Sequence, residues 1–164
     1  MEIKNSPFNY KKIDTYVSRS AQPDRKNFEW LKNEGVTDII NLRTMHTPKI
    51  DFNEEEYVKK QGMKYHNIPS VSRHPNEENV LKFLKIIEEV KKRGGKVHIH
   101  CKQGADRTGM YSYIYERLSK TGRTPFEIYR DMVEHGWHFS LYPHICIWAE
   151  EFVQKFKSLF THTI

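Results

Sequence analysis

Short β-branched runs alternate along this chain with stretches of helical spacing, and no other feature narrows the choice of fold as far. The run VTDIINL (36–42) fits a buried strand. Before it stands DRKNFEWLKNEG (24–35), where Pro23 and Asp24 open a helix, Phe28 and Leu31 lie three apart and Gly35 takes the stop position. A weaker helical stretch from Asp51 to Gln61 ends at Gly62, and MKYHNIP (63–69) reads as the next strand, with Pro69 at its exit. Residues 70–76, SVSRHPN, read as loop. The clearest helix is NEENVLKFLKIIEEVKKRGG (76–95): Val80, Leu84, Ile87 and Val90 trace one face, acids come early, bases late, and two glycines close it. KVHIH (96–100) is strand again, and another short segment surrounds Tyr16 to Ser20. Three helices are expected to finish the chain, at Thr108 to Lys120, Pro125 to Glu134 and Pro143 to Phe160, the last with Trp148, Phe152, Phe156 and Phe160 spaced by fours for core packing. The alternation predicts an α/β fold: one domain over 1–164, with a central mixed sheet flanked by helices and a helical C-terminal layer.

A chain of 164 residues can bury a sizeable core without disulfides, and there is no repeat, low-complexity tract or Gly/Ser/Pro-rich linker to divide it. Lys and Arg number 27 against 21 Asp and Glu, a net charge of +6 that favours an anionic partner. Nucleic acid is not expected, because no basic helix or aromatic RNA-binding signature appears. The N-terminal MEIKNSPFNYKKIDTY lacks an apolar core, and no run is long enough to span a membrane. A monomer in the cytoplasm is the default expectation, with a periplasmic or secreted location if a leader has been removed. Two cysteines are too few for a disulfide framework, and a single well-placed one is a candidate nucleophile. Cys146 reads as a small buried side chain of the last helix.

Cys101 is different, because it stands between a strand and a helix in VHIHCKQGADRTG (97–109). Ligands of open α/β sheets bind beyond the carboxyl ends of strands, where the following helix offers free N–H groups and its positive dipole end. Gly104 permits a tight curl, so the amides of Lys102, Gln103, Gly104 and Ala105 can form a nest for a tetrahedral anion. Helix dipole and guanidinium together favour a nucleophilic thiolate at Cys101. Arg107 can grip two phosphate oxygens with its planar fork, Thr108 offers a hydroxyl to the sulfur as it leaves, and Gly109 lets the helix pack close.

His-Cys-x5-Arg-Thr-Gly resembles the phosphate-binding loop of the protein tyrosine phosphatase superfamily. SRSAQP (18–23), DIINLR (38–43), the loop GADRTG and the Gly-Trp turn at 136–137 are similar to the small bacterial dual-specificity-type phosphatases, so the resemblance covers most of the chain. It implies a dual-specificity phosphatase-like fold and hydrolysis through a cysteinyl-phosphate, without a cofactor. It also implies that Cys101 is the nucleophile and Arg107 the phosphate clamp, with His100 and Thr108 supporting the thiolate. The tyrosine-recognition segment of the longer tyrosine-specific members is absent, which suggests a shallow pocket for phosphoprotein or small phosphorylated substrates, including the inositol phosphates taken by phytase-like members.

Such enzymes usually carry an aspartate general acid on a separate loop, a contribution of roughly 10² to 10⁴ in rate. The corresponding segment, SVSRHPNEE (70–78), has none. Glu77, Glu78 or His74 could serve from that loop, or Asp106 from the phosphate loop itself, where GADR resembles the Asp-Arg pair of myotubularin lipid phosphatases. Asp106 could equally brace the loop. Arg43 at a strand end, Arg73 and His74 could add positive charge for the substrate, and His138 after the Gly-Trp turn could line the pocket. His98, His100 and Cys101 lack a second ligand pair at metal spacing, so no metal is expected. His135 and His144 read as surface or satisfied core residues. The rival readings are a phosphate-binding module with little turnover and a thiol-transfer enzyme of the rhodanese or arsenate reductase type.

Overall fold

In the computed structural model, which describes residues 5–44, 50–119, 122–138 and 141–160, the β-branched runs pair into one five-stranded sheet. Its strands are β1 (Lys11–Lys12), β2 (Val17–Ser20), β3 (Asp38–Asn41), β4 (Lys64–Asn67) and β5 (Val97–His100), in the order β1-β2-β5-β3-β4. β1 runs antiparallel to β2 and the other pairs are parallel, so the sheet is mixed as expected. In register, Ser20 and Asn41 each stand beside His100, and Asn41 stands beside Asn67, which brings four strand ends to one edge.

Alternate residues of a strand face opposite sides, and β3 shows the consequence. Ile39 enters a smaller cluster with Phe28, Trp30 and Leu31 of α1 (Arg25–Asn33) and Val58 of α2 (Glu54–Lys60). Ile40 enters the main core with Phe83 and Leu84 of α3 (Glu77–Lys92), Ile114 of α4 (Asp106–Leu118), Ile128 of α5 (Pro125–Glu134) and Phe152 of α6 (His144–Phe160). Full burial of a side chain such as Phe83 or Phe152 is worth about 1.5–3 kcal/mol.

Local chemistry sets the helix starts. Asp24 and Asn27 form a reciprocal capping box on α1, while Asn53, Asn76 and Thr124 each accept an N–H of the first turn of their helix. Capping by Asn53 is why α2 begins at Glu54 rather than near Asp51. α4 begins two residues before Thr108, because the phosphate-type loop closes directly into it and Gly109 N already donates to the Ala105 carbonyl at 3.0 Å. Its expected end at Lys120 lies outside the described residues. β1 was not expected: two lysines carry no apolar alternation, and charged residues are typical of an edge strand. Among the described residues no helix is long and apolar enough to cross a membrane.

Candidate active site

The strand ends deliver their next residues to one place: Ala21 and Gln22 after β2, Arg43 after β3, Ser70 after β4 and Cys101 after β5. Cys101 is buried, and its Sγ accepts the Gly104 N–H at 3.3 Å. Gly104 has φ +75°, and a Cβ there would lie 2.6 Å from Ala21 N and 2.7 Å from Ser20 C, so the loop packs against β2 only with glycine. The Gly104 carbonyl accepts Arg19 Nη2 at 2.7 Å from beneath. Arg19 is buried in the domain. Desolvation lowers its pKa to about 10, against the opposing pull of Cys101, Asp131 and Glu116, and it stays cationic at neutral pH. On the outer side Gln22 N donates to the Lys102 carbonyl at 3.0 Å, and Asn9 Nδ2 donates to the Gln103 carbonyl at 3.2 Å.

Cys101, Lys102, Gln103, Asp106 and Arg107 line a cleft of about 280 Å³ together with Ser72, His138, Leu141 and Tyr142. Arg107 Nη1 donates to the Ser70 carbonyl at 3.4 Å, and Ser70 Oγ meets the Tyr111 hydroxyl at 2.7 Å. Arg43 is buried and donates through Nη1 to Gln22 Oε1 at 2.8 Å. Desolvation, and next the neighbouring Arg107, push its pKa down, and Arg43 itself is not among the residues that line the cleft. A second groove of about 480 Å³ adjoins at Lys102, Gln103 and His138, and Ala105 and His135 lie along it.

Asp106 faces His138. Its Oδ1 accepts the His138 backbone N–H at 2.7 Å and its Oδ2 lies 2.7 Å from His138 Nδ1. The loop that was expected to bring other donors does not bring them to the cleft. Glu77 pairs with Lys155 of α6 at 3.0 Å, and Arg73, His74 and Glu78 are exposed and line neither hollow. Arg73 contributes its carbonyl to His144 Nε2 at 3.1 Å instead.

His100 is tied away from the sulfur. Its Nε2 meets Glu54 Oε2 at 2.6 Å and its Nδ1 meets the Cys101 carbonyl at 3.2 Å, so it anchors the cysteine's backbone. Thr108 is buried and its Oγ1 has no protein partner; the donor to the sulfur is Gly104. Gly109 lies at the close approach of α4 to Met132 of α5. His98 is held by Ser18 Oγ at 2.8 Å and Ser20 Oγ at 2.7 Å, with burial holding its pKa well below the usual range. Half-buried Cys146 packs on the core, where burial pushes its thiol pKa up. His135 Nδ1 meets Asn9 Oδ1 at 2.8 Å, and burial, followed by Arg19, lowers its pKa to about 4.

Four contributors escaped sequence reasoning: Arg19, Gln22, Glu54 and Tyr111. Arg19 and Gln22 sit inside SRSAQP, the one available signal. Glu54 looked like any acidic first turn, and Tyr111 like one more aromatic in a helix.

A cysteine at the end of a central parallel strand, curled under an arginine at the head of the next helix, defines a phosphatase domain of the protein tyrosine phosphatase superfamily. A family model described as DSP-PTPase phosphatase fused to NAD+ kinase matches residues 4–125, and the chain belongs to that family. It is 28% identical over 126 residues to inositol diphosphatase DSP2 of Oryza sativa subsp. japonica, a match that takes in 70% of this chain and 56% of that protein's length. Among solved structures, a DUF442 phosphatase candidate from Shewanella putrefaciens CN-32 superposes with a TM-score of 0.76 at 25% identity, covering 94% of this chain and 96% of that one. The core catalytic domain of the PP-IP phosphatase SIW14 of S. cerevisiae shares the fold, with a TM-score of 0.76 at 18% identity over 94% of this chain and 91% of that one.

Proposed function

We propose that this protein hydrolyses phosphomonoesters through a phosphorylated Cys101. The observation that carries the reading is the Gly104 N–H aimed at the buried Cys101 Sγ, in a loop whose far end presents Arg107 to the same cleft. An N–H at that position is a charge-assisted donor to a thiolate. In the first step the sulfur's electron pair forms the S–P bond while the P–O bond breaks toward the leaving group. Arg107 follows the equatorial oxygens as charge spreads over them. Water then forms a new P–O bond, the S–P pair returns to sulfur, and inorganic phosphate leaves. Arg19 and His100 act by holding Gly104 and Cys101 in place rather than by touching the substrate.

Among substrates, an inositol polyphosphate is the best-supported class. Arg107 and Lys102 line the cleft and Arg43 is a charged neighbour of Arg107, a concentration of positive charge that suits a polyanion. The Oryza sativa relative is named an inositol diphosphatase, and SIW14, which shares the fold, a PP-IP phosphatase. A phosphate-release panel of inositol hexakisphosphate, phosphoinositides, a phosphotyrosine peptide and a phosphoserine peptide tests this. The inositol phosphate should have the highest kcat/KM, and Cys101→Ser should abolish turnover of all four. A preference for the phosphotyrosine peptide would overturn the substrate assignment, and full turnover by Cys101→Ser would overturn the mechanism.

A further inference from the structure

We propose that the proton for the leaving oxygen comes from His138, and that Asp106 is the residue that positions it. This rests on the cysteinyl-phosphate reading above and supplies the general acid that the reading lacks. The usual source is closed: residues 70–78 contain no aspartate, Glu77 is paired with Lys155 at 3.0 Å, and Glu78 lies outside the cleft lining.

The contacts of Asp106 make it an acceptor. A backbone N–H can only donate, so Oδ1 accepts from His138 N at 2.7 Å. Oδ2 faces Nδ1 of the same residue at 2.7 Å, and an ionised carboxylate there selects the Nδ1–H form of the ring. The two bonds grip one histidine by backbone and side chain together, which fixes the ring plane. Nε2 is then the free end, with no hydrogen-bond partner among the described residues. The ring lines the same cleft as Cys101 and Arg107, and its side chain is 41% exposed, open to both substrate and water. A carboxylate that orients one imidazole nitrogen while the other exchanges protons with the reaction is a recurrent arrangement in hydrolytic sites.

In the first step Nε2–H of the doubly protonated ring gives its proton to the leaving oxygen as that oxygen takes the P–O electron pair. The ring becomes neutral and keeps Nδ1–H on Asp106. In the second step neutral Nε2 takes a proton from the attacking water as the S–P pair returns to Cys101. The ring and the thiolate are both restored, and no proton is left over.

The test is a series of phosphate monoesters from p-nitrophenyl through phenyl to alkyl leaving groups, with kcat/KM measured for wild type, His138→Gln, His138→Gly and Asp106→Asn. A good leaving group needs no proton, so His138→Gln should lose less than about 10-fold on the p-nitrophenyl ester but about 10²-fold or more on the alkyl ester. Added imidazole should restore alkyl ester turnover to His138→Gly. Asp106→Asn should steepen the leaving-group dependence in the same direction but to a smaller extent. An equal loss on every ester, or a flat dependence in His138→Gln alongside a steep one in Asp106→Asn, would overturn the assignment, the latter naming Asp106 itself as the acid. Phosphocysteine trapped from p-nitrophenyl phosphate in His138→Gln separates the two readings: its presence keeps the role of Cys101 whatever becomes of His138.

Discussion

Arg19 holds the Gly104 carbonyl at 2.7 Å from inside the fold, while the N–H of the same glycine reaches Cys101 Sγ at 3.3 Å. The N–H donor nearest the proposed nucleophile is thus fixed by a buried arginine outside the cleft lining. Small displacements of reacting groups are costly, about 10²-fold for 1 Å. Arg19→Lys cannot reproduce the planar contact and should lower kcat/KM by about that factor, with less effect on KM than on kcat. Steady-state kinetics on p-nitrophenyl phosphate checks this, and a loss under about twofold would contradict the tie.

Gly104→Ala should be worse tolerated. The left-handed backbone at φ +75° costs an L-residue about 1–2 kcal/mol, and the new methyl would press on the backbone of Ser20 and Ala21. Neither neighbour can move without disturbing β2. Chemical denaturation should find stability lowered by more than that backbone term alone, and phosphatase assays should find turnover nearly abolished. A variant with wild-type stability and activity would mean that the loop does not pack against Ser20 as described.

Glu54 and His100 form a buried pair at 2.6 Å, with Glu54 also accepting Gln22 Nε2 at 2.7 Å. Removing one partner strands the other away from water. Glu54→Ala should therefore cost about 1–3 kcal/mol in urea denaturation. Glu54→Gln, which keeps an acceptor oxygen, should cost less. A loss below about 1 kcal/mol for Glu54→Ala would show that the pair holds nothing in place.

Asp38 should contribute to the acid sensitivity of the fold. Burial alone would raise its pKa, but hydrogen bonds from His66 at 2.8 Å, Arg93 at 2.9 Å and Thr37 at 2.7 Å outweigh burial and hold it at about 2, below the ordinary 3.8. A depressed carboxylate pKa stabilises the fold above its unfolded value, and that stability is lost as pH falls from about 4 through about 2. The amount at stake is about 2 kcal/mol. Stability measured against pH should fall less steeply over that window in Asp38→Asn than in wild type, and parallel curves would contradict the prediction.

What could be read from the chain follows the range of each interaction. Caps such as Asn76 and Thr124 are contacts between near neighbours, so α3 and α5 announce their own starts. Cys101 and Arg107 stand six positions apart at the join of loop and α4, and their juxtaposition is legible because it is local. The partner of Glu54 is 46 positions away and the partner of Arg19 is 85 away; nothing near Glu54 marks it as part of the site, and SRSAQP around Arg19 does not say what the arginine holds. β1 is silent for another reason, since two lysines at a sheet edge have no buried face to pattern. Asp106 shows the same limit in miniature. The sequence left it as acid or brace, and only the fold brings His138, 32 positions later, onto both of its oxygens.

On the proposed mechanism, phosphate passes through the sulfur of Cys101. Rapid acid quench during turnover of p-nitrophenyl phosphate, followed by mass spectrometry of the peptide that contains Cys101, tests it most directly. That peptide should gain one phosphoryl group in the wild type and none in Cys101→Ser. Turnover by the wild type with no phosphoryl group on Cys101, or undiminished turnover by Cys101→Ser, would contradict it.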